Sequence, residues 1–98
     1  MKRAEILETA KKCVCGDRDQ DYGSPENNFA AIAALWSVHL VARGLMGTIE
    51  VLKPTDVAAM LALLKIARIA SGHAKEDNWV DLAGYAACGG ELETEVEA

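Results

Sequence analysis

Between Val57 and Ala70 only Lys65 and Arg68 carry charge; every other residue is apolar. A helix that is apolar on all sides has to be surrounded by other elements. This one stretch therefore demands a helical assembly with a central member. Its start is well marked. Pro54 suits a first turn, Thr55 can cap, and Asp56 complements the helix dipole. Gly72 ends it.

Three further segments have a helical period. In residues 2–14, Ile6, Leu7, Ala10 and Val14 recur at helical spacing, with Lys11 and Lys12 near the C-terminal end and Gly16 as the stop. The second helix opens on Ser24 as N-cap, Pro25 at the first position and Glu26 in the first turn. Its stripe is Phe29, Ile32, Ala33, Trp36 and Leu40, and Gly44 and Gly47 mark its end. The last runs over residues 77–88 with Trp79, Leu82, Ala83 and Ala86 inward. Gly84 permits close helix approach there, and Gly89-Gly90 is a break. Only residues 48–51 alternate in the manner of a strand. The expected fold is all-α, a four-helix bundle completed by oligomerisation. Residues 1–90 form one helical domain and residues 91–98 an acidic tail.

A chain of 98 residues is one domain and buries little core, which is why self-association is expected. Hydrophobic residues at 51% against 26% charged place it among globular chains. The net charge is -5. Setting aside Glu91, Glu93, Glu95 and Glu97 leaves 11 acidic residues against 10 basic, so the body is nearly neutral. That excludes a broad basic face for duplex DNA but leaves room for a small phosphorylated ligand. There is no signal-peptide pattern and no apolar run of about 18 residues, so a cytoplasmic location with no membrane partner is expected. Cys13, Cys15 and Cys88 lack a zinc spacing and read as reduced thiols.

Chemistry-bearing residues concentrate in three stretches. Lys65 and Arg68, three apart, share a face of the central helix. Asp77 and Asp81, four apart, open the last helix. A short link makes these two helices antiparallel neighbours, so Arg68 is expected to meet Asp77 or Asp81. The cluster can fix the hairpin, hold a phosphate or carboxylate, or offer its acids to Mg²⁺, with Glu26 a weaker third ligand. In the loop before the second helix, Tyr22 offers a stacking ring and Asn28 an amide for a base or ribose. The helix N-terminus behind them suits an anion. Trp36, Trp79, Tyr85 and His39 read as core positions, and His73 as a solvated loop residue.

These motifs resemble a group of small phage and prophage proteins over residues 3–92. The carriers are Asp-Arg-Asp-Gln-Asp-Tyr-Gly-Ser-Pro-Glu-Asn-Asn-Phe, Pro-Thr-Asp-Val-Ala, Leu-Leu-Lys-Ile-Ala-Arg and Asp-Asn-Trp-Val-Asp-Leu-Ala-Gly-Tyr. More distantly the chain is similar to the nucleotide-modification-associated domain of phage base-hypermodification loci, and to MazG-like all-α NTP pyrophosphohydrolases. The latter hold Mg²⁺ through a Glu-x-x-Glu and a Glu-x-x-Asp pair. Here Glu5 and Glu8 have the first spacing but lie on the first helix, and Asp77 and Asp81 are spaced by four. The resemblance implies a phage protein acting on nucleotides or nucleotide-derived ligands inside the host cell.

Three functions follow as expectations. The first is binding of a nucleotide-type ligand by Tyr22, Asn28, Lys65, Arg68, Asp77 and Asp81, with sequestration of a host defence signal as its use. The second is Mg²⁺-dependent pyrophosphohydrolysis through Asp77, Asp81 and Glu26. The third is a structural or interaction role, in which the polar cluster only fixes the helices.

Overall fold

The computed structural model describes residues 1–16, 25–72 and 75–95, with the backbone alone for residues 25–27 and 95. Four helices occur among them: α1 (Arg3–Cys15), α2 (Pro25–Ala42), α3 (Pro54–Ala70) and α4 (Glu76–Glu95). No strand occurs among the described residues; residues 48 and 49, where alternation hinted at one, form a turn. The all-α reading holds. The extensively packed pairs are α3 with α4, α1 with α4, and α2 with α3. The order in space is thus α1, α4, α3, α2, with α3 and α4 each flanked by two neighbours.

The helix ends follow local chemistry. α2 closes on Gly44 at φ +72, where Leu45 N–H donates to Leu40 O (2.9 Å) and Gly44 N–H to Val41 O (3.0 Å). This is a Schellman closure, which needs a left-handed residue. Gly72 turns the chain out of α3 with φ +89. At the start of α3 the expected Thr55 cap is replaced. Lys53 occupies the N-cap, and Asp56 Oδ2 accepts its backbone N–H at 2.8 Å. A carboxylate at the third helical position satisfies the N-cap amide, while Thr55 falls inside the first turn, past the cap position. Gly16 ends α1 at φ -112, without the left-handed turn expected of a C′ glycine.

The core joins α2, α3 and α4 through Phe29, Ala33, Val57, Ala58, Cys88 and Leu92, with Trp36 and Tyr85 packed at its edge. Val57 is the one side chain buried completely among the described residues. Truncation there leaves a void at the centre of the three-helix contact. Val57→Ala is expected to cost about 2 kcal/mol, read as a lower urea midpoint at unchanged m-value.

Two expectations about α4 are overturned. The helix does not stop at Gly89-Gly90 but continues to Glu95, so residues 91–95 of the expected acidic tail are helical. Leu92 lies in the core, and Gly89 faces Ala58 so closely that an added Cβ would stand 3.1 Å from the Ala58 Cβ. Packing on α3 outweighs the helix penalty of two glycines, about 1 kcal/mol each. The inward stripe is also displaced by one position. Val80, Gly84, Cys88 and Leu92 face inward, while Trp79 is 48% exposed. The small residues win because they let helices approach: a Cβ on Gly84 would come 3.1 Å from Val14 Cγ1. His39, expected to be buried, is exposed on α2.

Buried Ser37 joins α2 to the connection that follows. Its hydroxyl donates to Ala33 O at 2.7 Å and accepts Leu52 N–H at 2.8 Å. One side chain thus satisfies itself and an amide of the connection, which anchors the entry to α3. The N-terminal ammonium of Met1 donates to Glu76 Oε1 at 2.8 Å, tying the start of α1 to the start of α4. The Glu76 hydrogen bond, then its charge, raises the ammonium pKa above the usual 8.0. The contact is therefore present at neutral pH and lost as pH rises through that raised value.

Candidate functional site

Gly72 and the link after it bring the C-terminal half of α3 beside the first turns of α4. Residues 65 and 68 thereby face residues 77, 78 and 81 across a cleft of about 480 Å³. Lys65, Arg68, Lys75, Asp77, Asn78 and Asp81 line it, and all six are polar or charged. A volume of this order suits a small ligand.

One ion pair crosses the cleft floor. Lys65 Nζ stands 2.9 Å from Asp81 Oδ2, with side-chain exposures of 12% and 25%. The expected partner of the acids was Arg68. Lys65 takes that place because it lies on the inward side of α3, three residues before Arg68, and its long stem can follow the apolar seam to Asp81. Arg68 is exposed at the rim and forms no ion pair among the described residues. Lys75 and Asp77 are likewise exposed at the mouth. Asn78 is buried, and its backbone N–H donates to Lys75 O at 3.0 Å, which shapes the entry of α4.

Four of the expected site residues therefore meet in one place: Lys65, Arg68, Asp77 and Asp81. Asn28 is exposed on α2 and is not among the cleft's lining residues. Tyr22 and His73 lie outside the described residues, as does the Glu26 carboxylate. Among the described residues no three His, Cys, Asp or Glu side chains gather as a metal would require. Cys13, Cys15 and Cys88 form no disulfide among the described residues and are half-buried, exposed and buried in that order. No described helix is long and apolar enough to cross a membrane.

Two lining residues escaped the sequence reading. Lys75 sits in a link with no periodicity to place it. Asn78 carried a usable signal: it is three residues before Asp81 and so shares its helix face.

The cleft can do two things chemically. Arg68 and Lys75, which form no ion pair among the described residues, can meet an anion, while Asp77 can accept hydrogen bonds at the same mouth. The first turn of α4 adds backbone N–H groups and the positive end of its dipole, although Glu76 and Asp77 already partly complement that end.

Residues 5–93 match the family described as a domain of unknown function, DUF6378. The chain belongs to the DUF6378 family. Two curated phage proteins are similar to it. The Gene 55 protein of Mycobacterium phage L5 is 44% identical over 81 residues, covering 83% of this chain and 47% of that protein. The Gene 55 protein of Mycobacterium phage D29 is 37% identical over 83 residues, 85% of this chain and 50% of that protein. The chain thus spans about half the length of the curated relatives it matches. No solved structure matches it. The resemblance to phage proteins holds at the level of these two relatives.

Proposed function

We propose that the cleft between α3 and α4 binds an anionic small ligand of the nucleotide type without turning it over. One observation carries this reading: among the described residues Arg68 and Lys75 form no ion pair at the cleft mouth, while Lys65 neutralises Asp81 on its floor. Among the described lining residues, two cations outside any ion pair against one such carboxylate make the mouth an anion site. A guanidinium meets a phosphate through two parallel hydrogen bonds, whereas an ammonium acts as a point charge. Asp77 at the same mouth supplies an acceptor for the amino or hydroxyl groups of a base or ribose. Binding is favoured over Mg²⁺-dependent hydrolysis because Asp81 is engaged by Lys65, which leaves Asp77 as the free acid among the described lining residues. Sequestration of a nucleotide signal in the infected cell would be a use for such a site, and the phage relatives give that use its context.

Calorimetric titration with ATP, ADP and ADP-ribose, with and without Mg²⁺ and with product analysis, tests the proposal. At least one of these ligands is expected to bind and to be recovered intact. Arg68→Ala should weaken it tenfold or more, on the order of 1.4 kcal/mol or above, with helix content unchanged because the residue is exposed. No binding by any of them counts against the reading. Mg²⁺-dependent conversion to a monophosphate would make the protein a hydrolase instead.

A further inference from the structure

α2 poses a packing problem the single chain does not solve. From Phe29 to Ala42 it carries no formal charge, and Ser37 and His39 are its only polar side chains there. A helix so apolar is normally enclosed, yet of the described helices only α3 packs extensively against it. Its outer face runs Ala31, Ala34, Leu35, Val38 and Ala42, spaced for one helical stripe. Leu35 and Val38 are 70% and 68% exposed.

Beside that stripe lies an apolar groove of about 630 Å³, formed by α2 and the connection to α3. Its α2 wall includes Ala30, Ala34 and Val38, and Val51 closes the other side. Glu50 is the charged residue at its edge, and its Oε2 already accepts the Gly47 N–H at 3.2 Å. A hole lined by alanine and a protruding Leu35 knob therefore sit on opposite flanks of one uncharged face.

We infer that this face of α2 is the contact between two copies of the chain, with Leu35 of each seated in the alanine-lined groove of the other. Knob and hole on the same surface are what a two-fold interface requires, since each contact is made twice with roles exchanged. The absence of charge from the stripe selects an equally uncharged partner, and the same stripe of a second copy meets that condition. The apolar area is also of the order a homodimer interface uses. Leu35, Val38 and Val51 are each about 70% exposed, and with the neighbouring alanines they present on the order of 400 Å² of apolar surface. A standard interface takes about 800 Å² per partner, of which about 65% is apolar in homodimers, or about 520 Å².

Sedimentation velocity of the purified chain over about 1 to 100 µM decides it. A species of twice 10.5 kDa is expected. Leu35→Glu and Val38→Glu should each give a monomer that keeps its helical circular dichroism. Leu7→Glu, on the exposed face of α1, should leave the dimer intact. Leu35→Ala removes the knob without adding charge and should raise the dissociation constant roughly a hundredfold, because two side chains are lost per dimer. It decides the matter should a glutamate variant fail to fold. A wild-type monomer at the top concentration overturns the inference. So does a dimer indifferent to Leu35→Ala, or one dissolved by Leu7→Glu.

Discussion

Replacing Gly89 by leucine is expected to lower stability by about 3 kcal/mol. The position lies in the middle of α4, where leucine would ordinarily gain close to 1 kcal/mol over glycine in helix propensity. The seam with α3 reverses that sign. A Cβ added at residue 89 would stand 3.1 Å from the Ala58 Cβ, and Ala58 is almost fully buried. Both atoms are fixed to backbone, so neither can swing aside. The leucine branches would have to force the helices apart and loosen Val57, Cys88 and Leu92 together. In a domain of this size the melting temperature should fall by about 12 °C or more. Gly89→Ala should lie near neutrality, since its propensity gain offsets a few tenths of an ångström of adjustment. Equilibrium urea unfolding of both variants checks the pair. A leucine variant as stable as wild type would mean that α3 and α4 are not in close contact at this point.

Asp81→Ala is expected to cost about 2 kcal/mol, and the loss should be asymmetric across its ion pair. The Lys65 side chain is only 12% exposed, so removing Asp81 strands an ammonium with little water to receive it. Lys65→Met should cost less, because Asp81 at 25% exposure is better solvated and methionine keeps the apolar stem in the seam. The double variant Lys65→Met with Asp81→Leu should recover most of what Asp81→Ala loses, as an apolar pair needs no desolvation. A double-mutant cycle measures the coupling. Coupling below about 0.3 kcal/mol would place the pair with ordinary surface contacts. The cycle also bears on the cleft: a strong pair keeps Asp81 occupied and leaves Arg68 and Lys75 to meet the ligand.

The candidate site was legible where it depended on spacing along one helix. Lys65 and Arg68 share a turn of α3, Asp77 and Asp81 share one of α4, and the short link brings the two pairs together. Which cation meets Asp81 was not legible. The choice between residues three apart is made by the rotation of α3 about its own axis, and the packing of Val57, Ala58 and Leu61 on neighbouring helices sets that rotation. Lys75 was hidden for another reason: a residue in a link has no period, and its position comes only from the helices it joins.

The helices themselves follow from the chain alone. Proline at the first positions of α2 and α3, glycine beyond the ends of α2 and α3, and apolar residues at steps of three and four specify where helix starts and stops through purely local forces. Tertiary structure decided what local forces cannot. It carried α4 through Gly89-Gly90, because contact with Ala58 rewards the absence of a side chain. It turned Val80, Gly84, Cys88 and Leu92 inward in place of Trp79, because close approach of α1 and α3 favours small residues over bulky ones. Both outcomes depend on the neighbouring helix, whose distance a sequence pattern does not contain.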